Sequence, residues 1–154
     1  MNQIRHGALI WLATLGPVGF LPKAPGTWAS AVTAAIWWFA TPRMSAAGYA
    51  LVLLTVTLVG VWVSTAAEKR LGRDAHPIVI DEFAGQWLAL AGCAPKVWMM
   101  VAAFLFFRAF DIWKPFPINI SQRLPGGVGV VVDDLIAGIY AAALIWMIRM
   151  VVGG

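Results

Sequence analysis

The stretch Ala46–Ala67, AAGYALVLLTVTLVGVWVSTAA, contains no charged residue. A bilayer core about 30 Å thick needs about 20 apolar residues to be crossed by a helix. This segment is the one apolar stretch here that meets that length by itself. The others are His6–Leu21, Trp28–Thr41, Phe83–Cys93, Val97–Phe107 and Ile136–Val152. The last is marginal, with Arg149 able to snorkel near its end. No alternation of strand period persists, and glycine and proline separate pieces of helix length. Only 12% of the residues are charged, against about a quarter in a soluble domain. That is too few to cover a soluble surface. The expected class is all-α: an integral membrane bundle of five or six helices in a single domain, residues 1–154. A soluble bundle buried in an oligomer is the competing reading. The nine tryptophans suit the lipid–water interface.

Phe83–Cys93 and Val97–Phe107 are too short to span singly. With the turn CAPK between them they predict a re-entrant hairpin, extended by the polar ends of both helices. The segment after Arg5, GALIWLATLGPVGFLP, resembles a signal peptide weakly and lacks a small-x-small cleavage site. It is read as a first helix. Cys93 lies in apolar sequence and reads as a small buried hydrophobe. The net charge is +4, yet basic residues cluster only in EKRLGR (Glu68–Arg73). Anionic lipid heads, not nucleic acid, are the expected partner.

The polar connections alternate. PKAPGT (Pro22–Thr27), EKRLGRDAHPIVIDE (Glu68–Glu82) and RAFDIWKPFPINISQRLPGGVGVVVDD (Arg108–Asp134) are long and rich in polar groups. TPRMS and CAPK are brief. The rich set carries Lys23, Lys69, Arg70, Arg73, Arg108, Lys114 and Arg123, whereas the opposite set carries Arg43, Lys96 and Arg149. The excess of Lys and Arg predicts that the rich face is cytoplasmic.

Asp81, Glu82, Asp111, Asp133 and Asp134 sit at the edges of apolar segments, where a carboxylate is costly unless paired or bound to a cation. Adjacent like charges repel, and a metal relieves the repulsion. Oxygen-only ligands favour a hard ion such as Mg²⁺. The competing reading makes these residues helix starts, since acids stabilise a first turn. Pro77 reads as a first helical position, which places Asp81 and Glu82 about one turn in, late for a cap. Gly85 and Gly138 lie within a turn of carboxylates, where a neighbouring helix or a ligand can approach closely.

Arg108, Asp111 and Lys114 recur every third residue and form one polar stripe, with Pro115 and Pro117 ending the helix. A self-neutralising triad and a phosphate-and-metal site are equally open here. Thr27 is expected to cap a helix starting at Trp28, with Lys23 near an anion-favouring end. Gly126, Gly127 and Gly129 are read as a loop before a helix, either an anion cradle or an ordinary turn. Without a following Gly-Lys-Ser/Thr it is not a nucleotide-binding loop. His6 and His76 are not expected to be ligands; His76, before Pro77, reads as a cap.

PKAPGT, IVIDEFAGQW, FRAFDIWKPFPI and GGVGVVVDDLIAGIYAA together resemble the signature blocks of the phosphatidylglycerophosphatase A family, in that family's order, from about Pro22 to Ala142. The resemblance implies a Mg²⁺-dependent lipid phosphatase of the bacterial inner membrane, multi-pass, with its site facing the cytoplasm. It implies phosphatidylglycerophosphate as substrate and phosphatidylglycerol and inorganic phosphate as products. Carried over by motif, Asp81, Glu82, Asp111, Asp133 and Asp134 would be metal ligands. Arg108, Asp111 and Lys114 would be catalytic. Lys23, Gly26, Thr27, Arg108, Lys114 and Arg123 would bind substrate. Water is the expected nucleophile, with Asp111 the candidate for a carboxylate route through an acyl phosphate.

Three rivals are weaker. A histidine-dependent lipid phosphatase needs a histidine context that is missing here. A CDP-alcohol phosphotransferase needs a longer aspartate motif. A transporter subunit predicts flux without phosphate release. The sequence carries no signal of oligomeric state.

Overall fold

A computed structural model describes the backbone of residues 2–152 and the side chains of residues 7–151. Arg5 and His6 therefore fall outside the described side chains. The helices are α1 (Asn2–Ala13), α2 (Pro25–Ala40), α3 (Ala46–Leu71), α4 (Ile80–Ala89), α5 (Val97–Trp113), α6 (Ile118–Ser121) and α7 (Gly127–Val152). Short 3-10 turns lie at Val18–Phe20 and Thr41–Arg43. No strand occurs among the described residues. Six helices of ten residues or more carry the fold, and α6 is a single four-residue turn.

The helices α3 and α7 are both long and apolar enough to cross a membrane. At 1.5 Å per residue their 26 residues extend about 39 Å. They differ in packing. The apolar window of α3 is 22% buried and that of α7 is 50% buried. On α3, Leu51, Leu54, Leu58 and Trp62 are exposed; their spacing puts them on one face, an apolar stripe suited to lipid. α7 is the central element and packs on α3, α4, α5 and α6.

α4 and α5 form the expected hairpin around Leu90–Lys96. With 10 residues, α4 is too short to span. Trp37, Trp87, Leu90, Met99 and Ile145 fill the core at the hairpin end. Phe107, Ile118, Ala137 and Ala141 fill it nearer the start of α7. Ala13, Val63, Ala67, Ile80 and Val130 seat α1 against α3.

Several helix limits differ from the sequence expectation. α2 begins at Pro25, not Trp28, and its N-cap is Ala24, so Thr27 caps nothing. Proline at the first helical position loses no hydrogen bond there, which moves the start forward. α4 begins at Ile80, not Pro77, and His76 is not its cap. The Val79 N–H donates to the Ala13 carbonyl at 2.9 Å, which holds residues 77–79 out of the helix. Asp81 and Glu82 therefore stand in the first turn after all, where the helix dipole favours them. α7 begins at Gly127, so Asp133 and Asp134 fall in its second turn and are not helix-start residues. Of the glycines read as a loop, Gly127 and Gly129 lie inside α7 itself. A Cβ on Gly127 would strike the Val61 carbonyl of α3, and the Gly127 N–H donates to Thr65 Oγ1 at 3.0 Å.

A candidate phosphate and cation site at one end of the bundle

The chain reverses so that α2 and α4 start, and α3 and α5 finish, at one end of the bundle. A cavity of about 320 Å³ opens there. It is walled by Ala24–Gly26, the loop bearing Asp74 and His76, the start of α4, the end of α5 and the second turn of α7. Asp81, Glu82, Arg108, Asp111, Lys114, Asp133 and Asp134 all line it. The five carboxylates, from three helices and 54 positions of sequence (81 to 134 inclusive), thus share one chamber.

Glycine makes that convergence possible. A Cβ on Gly85 of α4 would lie 2.6 Å from the Asp134 carbonyl and 2.6 Å from the Phe107 ring. A Cβ on Gly138 of α7 would strike the Gly85 carbonyl. The two backbones touch just below the acids, so the close approach serves a neighbouring helix. One ligand oxygen each from Asp81, Glu82 and Asp134 then lies within 4.8 Å of the others. Gly26 serves the site directly: a Cβ there would land on Glu82 Oε1 and come within 3.3 Å of Arg108 Nη1.

The cations are fixed by the acids. Arg108 Nη1 meets Asp111 Oδ2 at 2.8 Å, lies 3.9 Å from Glu82 Oε1 and donates to Ser30 Oγ at 3.5 Å. Lys114 Nζ meets Asp133 Oδ2 at 2.7 Å and lies 3.8 Å from Asp111 Oδ1. The Arg-Asp-Lys stripe is therefore a real triad, but it is tied across helices into the larger cluster. Lys114 ends α5 as its C-cap in the left-handed conformation, with φ at 47°. Ala24 and Asp74, also on the cavity wall, have φ at 47° and 48°. Such backbone costs roughly 1–2 kcal/mol per residue and clusters at functional sites.

The acids remain under-compensated. Asp81 Oδ1, Glu82 Oε2, Asp133 Oδ1 and Asp134 Oδ2 are buried without a hydrogen-bond partner. Burial, then the charge of Glu82, pushes the Asp81 carboxyl well above the usual carboxylate range. Burial, with Asp111 adding to it, raises Glu82 to about 7 against the pull of Arg108. For Lys114 burial acts downward, but the bond to Asp133 overrides it and holds the ammonium above its ordinary value. Orphaned carboxylate oxygens converging from two helices fit a hard, oxygen-seeking cation. The residues present match such a group.

Three expected substrate contacts stand apart. Lys23 and Arg123 are exposed and Thr27 is half-buried, and none lines the cavity. Gly26 does line it. Asp74 and His76 also line it, although nothing about their spacing marks them in the sequence. Asp74 gets there through its backbone: its N–H donates to Glu68 Oε1 at 2.8 Å, which folds the loop inward.

The family model described as Phosphatidylglycerophosphatase A matches residues 11–149. An Escherichia coli protein named phosphatidylglycerophosphatase A is 35% identical over 133 residues, covering 84% of this chain and 77% of that protein. The Haemophilus influenzae protein of the same name is 32% identical, covering 85% and 82%. A Bacteroides thetaiotaomicron protein named "Putative phosphatidylinositol-3-phosphatase" is 35% identical over 142 residues, covering 88% and 89%. No solved structure matches the chain.

Proposed function

The chain belongs to the phosphatidylglycerophosphatase A family, and on that premise we propose that it hydrolyses phosphatidylglycerophosphate to phosphatidylglycerol and inorganic phosphate. The observation that carries this reading is the open, polar end of an otherwise apolar bundle, where three converging carboxylates face two paired cations. A lipid phosphate lies at the membrane surface while its tails stay in hydrocarbon. A site at the helix ends reaches it without extracting the lipid. The excess of Lys and Arg at this end supports a cytoplasmic orientation in the inner membrane.

Asp81, Glu82 and Asp134 would hold the cation, with Mg²⁺ the ion their oxygens suit, and Asp111 and Asp133 stand beside them. When bound, such an ion polarises phosphoryl oxygens and offsets their charge. Arg108 offers a bidentate fork and Lys114 a point charge to the remaining phosphate oxygens. Asp111 takes both cations on its two oxygens, 2.8 and 3.8 Å away. It is thereby suited to aim them and poorly free to attack phosphorus. Water is the favoured nucleophile. As its oxygen forms the new P–O bond it gives up a proton to solvent, and the glycerol oxygen leaves with the electron pair of the broken bond. That oxygen takes a proton from solvent at the open mouth, beside exposed His76.

The test is phosphate release by the purified protein given phosphatidylglycerophosphate in mixed micelles with Mg²⁺, with EDTA as control. Phosphatidylinositol 3-phosphate is offered in parallel, because the Bacteroides relative is as similar as the Escherichia coli one. EDTA-sensitive release from the glycerophosphate lipid is expected. Preference for the inositol lipid would replace the substrate, and release from neither would refute the phosphatase reading.

A further inference from the structure

The cavity accounts for the headgroup and leaves the acyl chains unplaced. An apolar groove of about 210 Å³ lies between α2 and α5, lined by Ala31, Ala34, Ala35, Met100, Val101 and Phe104. It is built on the same side-chain rows as the cavity wall. On α2, Gly26, Ser30 and Ala34 follow one another at a spacing of four, so they form one row. On α5, Met100, Phe104 and Arg108 do the same. The two rows meet where Arg108 donates to Ser30 Oγ. Above that contact the pair of helices carries Gly26, Arg108 and Asp111 around the polar chamber. Below it, alanines on α2 leave room that apolar side chains line. Phe104 is one turn below Arg108, about 6 Å, and Ala35 is nine residues below Gly26, about 14 Å at 1.5 Å per residue. Val32, Ile36, Val101 and Leu105 are exposed along its edges, so the groove opens towards lipid.

We propose that the α2–α5 groove holds one acyl chain of the lipid whose phosphate enters the cavity. This rests on the phosphatase reading above and adds where the substrate's tail lies. Continuity of the two rows argues for this occupant, because a chain entering from lipid between α2 and α5 delivers its headgroup directly to Arg108. The groove's contribution is orientation rather than affinity. A chain in the bilayer is already among carbon, so moving it into the groove removes little apolar surface from water. Fixing its direction holds the phosphate in register with the cations. The groove at the other end of the bundle, lined by Leu144, Met147, Ile148 and Val151, shares no lining residue with the polar chamber and is the internal control.

Ala35→Trp fills the groove, and Leu144→Trp fills the control groove. Both variants are assayed in mixed micelles on the diacyl lipid and on the deacylated headgroup phosphate, with thermal unfolding alongside. Ala35→Trp is expected to lower kcat/KM on the diacyl lipid about tenfold, within the ~10²-fold that a 1 Å misplacement can cost. Turnover of the deacylated compound and the unfolding temperature should not change, and Leu144→Trp should behave as the parent. Equal loss on both compounds, or no loss on either, overturns the proposal. A diacyl lipid with a photoreactive group in its acyl chain gives a readout independent of turnover. Labelling concentrated on Met100–Phe104 supports the groove, and labelling spread evenly over the exposed faces of α3 and α7 overturns it. A protein that labels there but releases no phosphate from either compound would sink the phosphatase reading while leaving the groove supported.

Discussion

Gly26 and Gly85 look alike in the sequence, but alanine at each should do opposite things. At Gly26 the new Cβ would land on Glu82 Oε1, 2.8 Å from Glu82 Cδ and 3.3 Å from Arg108 Nη1. Those atoms end flexible side chains and can swing away at little cost. Gly26 is also helical, where alanine gains about 0.5–1 kcal/mol over glycine. The net change in stability should stay within about 1 kcal/mol, or about 2–4 °C of unfolding temperature for a chain of this size. The displaced Glu82 carboxylate, however, leaves its place beside Asp81 and Asp134 by more than the roughly 1 Å that can cost ~10²-fold in rate. At Gly85 the obstruction is the Asp134 backbone carbonyl and the Phe107 ring, each 2.6 Å away. Neither can swing aside, so Gly85→Ala should cost about 1–3 kcal/mol as overpacking. Phosphate release and thermal unfolding in detergent, run on both variants, separate the two. Gly26→Ala should lose about 10²-fold in kcat/KM while melting like the parent, and Gly85→Ala should melt several degrees lower. Full activity in Gly26→Ala, or unfolding as early as Gly85→Ala, would refute the account of Glu82.

Asp81→Asn and Asp134→Asn should each lower turnover at least about 10²-fold and abolish the rise in unfolding temperature expected of the parent with Mg²⁺. Their metal-free folds should be no less stable, since each replaces a buried, crowded acid with a neutral amide; near-normal turnover at saturating Mg²⁺ would contradict the site. Lys114→Ala leaves Asp133 without its cation and Asp111 with Arg108 alone, so a large loss of kcat is expected, whereas a change confined to folding yield would make the triad structural. In EDTA, stability should fall as pH rises from about 4.5 to about 7, because folded Glu82 keeps a proton to about 7 that the unfolded chain releases near 4.5. Saturating Mg²⁺ should flatten that slope, and a flat or rising metal-free profile would contradict the burial of Glu82.

The class of fold was legible because it rests on composition and segment length. So few charges suit a chain covered by lipid, and without strand alternation only helices satisfy the backbone in that medium. The alternation of rich and brief connections also put Asp81, Glu82, Asp111, Asp133 and Asp134 at one end, because helices in a bundle reverse at each turn. Lys114 at the end of α5 followed from Pro115 and Pro117.

Helix starts were less legible. By local chemistry Thr27 read as a cap, Pro77 as a first helical position, and Gly126, Gly127 and Gly129 as a loop before the last helix. Pro25 at a first helical position, the Val79–Ala13 bond and the packing of Gly127 on Val61 decided otherwise. The latter two are contacts between residues far apart in the chain, which no local rule encodes. The same holds within the site. Sequence supplied five acids and an Arg-Asp-Lys stripe, but not how they divide. The Gly85–Gly138 crossing sets Asp81, Glu82 and Asp134 against one another, and Arg108 and Lys114 pair Asp111 and Asp133. Asp74 and His76 enter only because Glu68 holds the loop, and Lys23 and Arg123, equally basic on paper, turn outward. Residue types and periodicity fixed which side chains were costly in this solvent. Only the closeness of α4 and α7 decided which of them meet, because a few ångströms between backbones determine whether carboxylates share one ion or repel across a gap.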